Sequence, residues 1–271
     1  MAHLVVIKWG GSLAEAAQAA VAALARGLMD LAAAGYTALV VHGGGPEITR
    51  LSTRLGITAR FEGGLRVTDE ATLETVIMAL AGTVSTGLVA DLQLAGVPAV
   101  GLSGVDGGLL RAVPDATGRL GLVGEITAVA PGAASALVGA GLVPVVAPLA
   151  LGPAGPLNVN ADLAAAALAG ALAAEHLVLL TDVAGVTVGG QLRRRLLVGE
   201  IEALVSSGEV RGGMIPKLRA CREALAAGAK QTHVLAGTAA AGLAAILRAE
   251  GPEEQRGTTV EPGEGGQAHV A

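Results

Sequence analysis

A small set of residues in this chain has the types and spacing to handle an anion. Gly43-Gly44-Gly45 follows the apolar run 37–41 and precedes a helix-compatible stretch opened by Pro46. Such glycines leave backbone amides free at a helix N-terminus, where both the unpaired N–H groups and the dipole favour negative charge. A tight turn with no ligand would use the same residues. No lysine stands where a P-loop would carry one, so the positive charge must come from elsewhere. Lys8 ends the otherwise apolar run 4–7 beside Gly10-Gly11; a lysine seldom ends a buried strand without a reason, the alternative being an edge residue that snorkels. Lys217 falls in the first turn of a helix opened by Gly212-Gly213-Met214-Ile215-Pro216, where the dipole disfavours a cation unless an anion joins it.

The remaining polar groups are of two kinds. Arg66, inside Phe61-Glu62-Gly63-Gly64-Leu65-Arg66-Val67-Thr68-Asp69, has the fork for bidentate capture of a carboxylate, or is simply solvated. Asn158, Asn160 and Asp162 precede an alanine-rich helix over 163–174. Asn160 or Asp162 reads as its cap, yet two amides and a carboxylate ending a long uncharged stretch also mark a binding site. Thr181-Asp182-Val183-Ala184-Gly185-Val186 follows another apolar run and could bind a nucleotide through backbone and side chains. Arg193-Arg194-Arg195 reads as a solvated face. His42 is assigned a structural role, and Cys221, the single cysteine, a place in the core.

The elements that must hold these groups follow from periodicity. Strand over 4–7, glycine turn, helix from Ser12 to about Gly35, strand over 37–41, glycine turn, helix to about Gly56: this is the βαβα rhythm of an open parallel sheet, whose ligands sit at the carboxyl ends of its strands. Both glycine turns occupy that edge. Residues 70–95 carry Leu73, Val76, Ile77, Leu80, Val84 and Leu88 at helical spacing, more apolar surface than an exposed helix needs, so this is a core helix or an oligomer interface. Strands are expected at 98–102, 142–146 and 176–180, and a hairpin with a Gly-Gly turn over 186–192. The tail after Val260 has no apolar period and is expected to be disordered.

Composition excludes several classes. Hydrophobic residues make up 52% of the 271 and charged ones 15%, with a mean hydropathy of +0.61, so membrane spans must be considered. The uncharged stretch 126–161 is broken by Pro131, Pro144, Pro148, Pro153 and Pro156, and 163–180 contains Glu175 and His176; neither offers about 20 unbroken apolar residues. The first reads as a buried helix, a buried strand and a loop. No secretory signal is expected from the N-terminus, which points to the cytoplasm. One cysteine permits neither an internal disulfide nor a CxxC metal site. A net charge of −5 and three aromatic residues speak against nucleic-acid binding, so any phosphate chemistry concerns a small molecule.

Taken in order, VIKWGG, VHGGGPEI, GGLRVTDE, GLSGVDGG, NVNADLAAAAL, LLTDVAGV, RGGMIPK and RGTTV resemble the amino acid kinase family over residues 3–260, and most closely its branch that phosphorylates N-acetyl-L-glutamate in arginine biosynthesis. The resemblance implies a three-layer α/β/α sandwich with a mainly parallel open central sheet. It also implies an N-terminal lobe over 1–174 for the acyl substrate and a C-terminal lobe over 175–260 for ATP, with 261–271 as the tail. By position, Lys8 and Lys217 match the lysines that stabilise the migrating phosphoryl group, and Asp162 the aspartate that orients both. Gly44, Gly45, Arg66 and Asn158 match substrate contacts, and Gly11 the turn beside the phosphates. Asp182, Val183, Ala184, Gly185, Val186 and Thr187, with Glu209, Val210 and Arg211, match nucleotide-binding segments. Mg²⁺ would arrive with ATP, no protein metal site being implied. The acceptor carboxylate, with an ordinary pKa of about 4.3, is already ionised and needs no general base; in-line positioning and charge cancellation suffice.

Val105 stands where many relatives place a lysine, and Thr83-Val84-Ser85-Thr86 departs from a more usual Val-Asn-Lys type of sequence. Because the first strand starts near His3, without the helix that precedes it in arginine-inhibited members, the resemblance implies a homodimer insensitive to arginine. Two rivals remain at this level. One is a kinase for aminoadipate or glutamate on an acidic carrier protein, for which only Arg193, Arg194 and Arg195 hint at docking. The other is a nucleotide-binding regulator without catalysis, against which the joint presence of Lys8, Asp162 and Lys217 argues.

Overall fold

The apolar, β-branched runs near the start of the chain form adjacent parallel strands, β1 (His3–Trp9) and β2 (Tyr36–His42), in register from His3 opposite Tyr36 to Trp9 opposite His42. The computed structural model describes residues 3–10 and 17–263; Gly11, the expected start of the first helix at Ser12 and residues 264–271 of the tail lie outside them. The other strands are β3 (Phe61–Glu62), β4 (Leu65–Arg66), β5 (Ala99–Ser103), β6 (Leu110–Pro114), β7 (Gly124–Val129), β8 (Val143–Ala147), β9 (Leu149–Leu151) and β10 (Pro156–Asn158). They are followed by β11 (His176–Thr181), β12 (Thr187–Val188), β13 (Gln191–Leu192), β14 (Arg195–Leu197), β15 (Gln231–Ala236) and β16 (Thr258–Glu261). Eight of them make the central sheet, in the order β14-β16-β15-β11-β1-β2-β8-β5. Its pairs are parallel except where β15 runs against β16.

Alternation along β1 assigns the two faces of this sheet. Leu4 and Val6 join one apolar cluster with α6 (Ala161–Ala171) and α8 (Met214–Ala226); Val5, Ile7 and Trp9 join another with α1 (Ala17–Ala33) and α4 (Ser85–Leu94). A strand buried on both faces is wholly apolar by necessity, which is what makes Lys8 conspicuous: it shares the face of Leu4 and Val6, toward α6. Helices therefore cover both sides, the three-layer α/β/α arrangement. The remaining helices of eight or more residues are α2 (Gly45–Arg54), α3 (Glu70–Ile77) and α5 (Gly132–Gly139), with short α7 (Ile201–Ser206) and α9 (Leu243–Leu247).

α6 and α8 run side by side with their N-termini together. Gly170 makes this possible at the far end, because a Cβ there would lie 2.3 Å from that of Ala227. At the near end, Asp162 and Lys217 meet.

Several expectations need correction. The uncharged stretch contains more strand than a helix, one strand and a loop: β9 and β10 form an antiparallel hairpin that joins β6 and β7 in a second, four-stranded sheet. Three-residue strands broken by Gly and Pro carry too little alternation to be seen. Asn160, and not Asp162, caps α6, accepting from the amides of Asp162 and Leu163. The helical stretch at 70–94 is a composite, in which a π-helical segment (Met78–Val84) joins α3 to α4. It is long and apolar enough to cross a membrane, yet Leu73, Val76, Leu80, Leu88 and Leu92 lie buried in the protein. Order extends past Val260, since Glu261 closes β16 and pairs with Arg195 at 2.6 Å. The hairpin over 186–192 forms as read, β12 and β13 joined by Gly189 and Gly190, both at positive φ, the type I′ requirement.

Candidate active site

The carboxyl ends of β1 and β2 lie next to each other, and Lys8 and the glycine loop lie there with them. The Nζ of Lys8 stands 2.9 Å from Oδ1 of Asp162, and the Nζ of Lys217 stands 3.4 Å from Oδ2 of the same carboxylate. Lys217 also donates to the Gly213 carbonyl at 3.4 Å. Lys8 is 8% exposed and Asp162 5%, so these charges are largely out of water, where an unpaired ion is very costly. Burial pushes the Asp162 carboxyl up, but the two ammonium groups more than offset it and hold the acid below its ordinary range. One carboxylate between two ammonium groups leaves an excess positive charge. Since α6 and α8 both aim their N-termini this way, their dipoles add to it. The arrangement is built for an anion.

A second cluster adjoins the glycines. Gly44 is extended, at φ 174°, so its need for glycine is one of space: a Cβ would lie 2.5 Å from Cδ2 of Leu80 in the π segment. Arg66 donates through Nη2 to the Gly45 carbonyl at 3.1 Å and to the Thr49 hydroxyl at 2.8 Å, while Phe61 stacks on its guanidinium at 4.7 Å. Among the described residues its buried Nη1 has no partner. A buried guanidinium N–H without an acceptor costs stability, unless a ligand supplies one. Asn158 donates to the Thr68 hydroxyl at 3.2 Å, which donates to the Arg66 carbonyl at 2.9 Å. The structure thus brings Gly44, Gly45, Arg66 and Asn158 into one chain of contacts. Sequence reasoning missed Thr49, which directly follows VHGGGPEI, and Thr68, which lies within GGLRVTDE.

On the other side of β1, β11 leads into the segment Asp182, Val183, Ala184, Gly185, Val186 and Thr187. Asp182 accepts from the Thr181 hydroxyl at 2.9 Å. The Val186 amide donates to the buried Thr258 hydroxyl at 2.8 Å, and that hydroxyl donates to the Arg193 carbonyl at 2.6 Å; Thr258 is a third residue the sequence reading passed over. Glu209 accepts from the Gly189 amide at 3.0 Å, Val210 is buried, and Arg211 donates to the Gly208 carbonyl at 2.5 Å. The two segments therefore meet at the β12–β13 hairpin. Cys221, fully buried with its thiol pushed up to about 12 by burial, is core as expected.

The sequence profile of the amino acid kinase family matches residues 3–236. The chain belongs to the amino acid kinase family. Among members, the chain is 47% identical over 231 residues to the acetylglutamate kinase of Roseiflexus sp. (strain RS-1), covering 84% of this chain and 87% of that protein. With the acetylglutamate kinase of Methanopyrus kandleri it shares 43% over 266 residues, 94% of this chain and 99% of the other. Among solved structures, the N-acetylglutamate synthase of Neisseria gonorrhoeae complexed with coenzyme A and N-acetyl-glutamate superposes with a TM-score of 0.81 at 26% identity, over 96% of this chain and 59% of that one. Amino acid kinase architecture accounts for the central sheet with helices on both faces.

Proposed function

We propose that this amino acid kinase catalyses transfer of the γ-phosphoryl group of ATP to the side-chain carboxylate of N-acetyl-L-glutamate, the second step of arginine biosynthesis. The bond from the γ-phosphorus to the ADP oxygen breaks, that oxygen keeping the electron pair, as a bond to the carboxylate oxygen forms, giving an acyl phosphate. The observation that carries the reading is the Lys8–Asp162–Lys217 arrangement beside an arginine with an unused buried donor. Relatives at 47% and 43% identity over most of the chain bear the matching name.

In this reading Lys8 and Lys217 are catalytic groups that cancel charge on the equatorial oxygens in the transition state, and Asp162 keeps both in place. Arg66 offers Nη1 to a carboxylate of the acceptor, while Asn158 and the amides of Gly44 and Gly45 hold its remaining oxygens. The residues on 182–187 and 209–211 hold the nucleotide, with Gly11, outside the described residues, completing the phosphate turn. The excess positive charge and convergent helix N-termini suit a polyphosphate, and Mg²⁺ carried by ATP would neutralise part of its charge. No general base is required, because the acceptor is ionised at neutral pH.

The reading includes an N-terminal acyl lobe over 1–174, an ATP lobe over 175–260, a cytoplasmic location and a homodimer through the 70–94 helical stretch. Docking of an acidic carrier is less favoured, since Arg193 and Arg195 are already paired with Glu200 and Glu261.

The test is an ATP and Mg²⁺ assay with hydroxylamine trapping, offering N-acetylglutamate, glutamate and α-aminoadipate as free acceptors. Hydroxamate should form with N-acetylglutamate alone, and Lys8→Ala and Lys217→Ala should each lower kcat roughly 10²- to 10³-fold. Product only on addition of a carrier protein, or undiminished turnover in both lysine variants, would refute it.

A further inference from the structure

The carboxyl ends of β1 and β2 carry polar groups on both faces of the sheet, and the proposed reaction uses only one face. On the face opposite Lys8, Trp9 and His42 are direct register partners, both 0% exposed. Paired residues on neighbouring strands point to the same side, so the indole and the imidazole lie on the same face of the sheet. Among the described residues, the Nε1 of Trp9 and the Nε2 of His42 are both buried and have no hydrogen-bond partner.

The other ring nitrogen of His42 is engaged. Its Nδ1 lies 2.9 Å from the carbonyl oxygen of Gly43. A carbonyl only accepts, so Nδ1 carries the proton and Nε2 the lone pair. The opposite tautomer would lose this bond and leave a buried N–H unpaired. Burial holds the imidazole neutral, its pKa pushed down to about 4 despite the bond to Gly43.

Gly43 is consequently clamped at both ends, its amide donating to the Trp9 carbonyl at 2.8 Å and its own carbonyl accepting from His42. Across a planar trans peptide, a carbonyl and the following N–H point in opposite directions. Holding the Gly43 carbonyl against the imidazole therefore turns the Gly44 N–H away from it. Leu80, packed against the Cα of Gly44, limits any rotation back. Among the described residues, the amides of Gly44 and Gly45 have no backbone acceptor.

We propose that His42, held as the Nδ1–H tautomer, is a positioning residue that aims the Gly44 amide at the acceptor and thereby sets acceptor affinity without touching it. This rests on the reading of Gly44 and Gly45 as acceptor ligands. It predicts that a side chain with a donor at the Nδ1 position suffices: His42→Asn keeps such a donor, whereas His42→Gln moves it about one methylene outward.

Nitrogen-15 NMR of the histidine-labelled chain should show the proton of His42 on Nδ1. Titration with N-acetylglutamate alone, followed at the Gly44 amide, should give near wild-type affinity for His42→Asn and roughly tenfold weaker binding for His42→Gln, one hydrogen bond's worth. The KM for ATP should stay unchanged in both. A proton on Nε2, or equal loss in the two variants, overturns the proposal whether or not the protein turns over. Intact binding with no turnover of any acceptor overturns only the kinase reading, and no binding at all overturns both.

Discussion

Asp162 carries two tasks that separate experimentally. As the counter-ion shared by Lys8 and Lys217, it is a structural group, and removing its charge would leave two largely buried ammonium ions facing each other. Asp162→Asn, nearly isosteric, should therefore cost about 3–5 kcal/mol at pH 7, the range for breaking a buried pair. The pH dependence has a definite sign. The folded-state pKa of Asp162 lies below the unfolded value, so its contribution is fully present above the unfolded pKa of about 4 and is lost as pH falls through and below it. Denaturant unfolding of both proteins between pH 7 and pH 3 should show the gap closing in acid. A gap that is small, or constant with pH, would mean the carboxylate does not stabilise this site. Lysines out of place were legible in the sequence because an ammonium at the end of an apolar strand or in a helix first turn defies the usual rules. Their shared partner was legible only through family resemblance, since nothing local ties Asp162 to residues so distant along the chain. The bond from His42 to Gly43 left no trace in sequence pattern at all.

Among the elements, long apolar runs were the most readable, although β15, buried in the middle of the sheet, was not predicted and β5, only partly buried, was. β1, β2, β8 and β11 are continuous apolar runs and were found within a residue or two, whereas β6 and β7 have many exposed residues and β9 and β10 only three residues each. Asn158 thus looked like part of a loop, although a strand positions it. Close helix packing was likewise hidden, and Gly170 is its clearest case. In an exposed helix, Gly to Ala would stabilise by up to about 1 kcal/mol. At Gly170 the new Cβ would meet that of Ala227 at 2.3 Å and its carbonyl oxygen at 3.2 Å, so α6 and α8 must separate. We expect Gly170→Ala to destabilise by about 1–3 kcal/mol, the usual cost of overpacking, and to lower kcat by disturbing the Asp162–Lys217 contact at the other end of the helix pair. Ala227→Gly removes the offending atom. The double variant should recover most of the loss, and additive effects of the two substitutions in a double-mutant cycle would show that the two positions do not press on each other.

At the level of the whole molecule, the open edge of the central sheet at β5 and the helical stretch beside it form the surface through which the proposed dimer would assemble. Between Met78 and Ala90 the stretch holds no charged residue, and Ala81, Gly82, Thr83, Thr86, Gly87 and Ala90 are exposed. Small uncharged residues let two helices approach closely and suit the self-complementary patch of a two-fold interface. Gly87 offers a test that leaves the protomer alone, because a Cβ built there meets nothing within 4 Å and its φ is not in the left-handed region. Arg at position 87 replaces a poor helix former with a good one, worth about 1 kcal/mol in favour of the fold, yet places a cation where the partner's identical cation would face it. Gly87→Arg should therefore run as a monomer in sedimentation at concentrations where the unchanged chain is a dimer, with an equal or higher unfolding midpoint for the isolated protomer. Because Lys8, Asp162, Lys217 and Arg66 all come from one chain, the monomer should keep its acceptor binding. A variant that stays dimeric would place the interface elsewhere, and a wild-type chain that is monomeric at all concentrations would remove the dimer from the functional reading while leaving the site untouched.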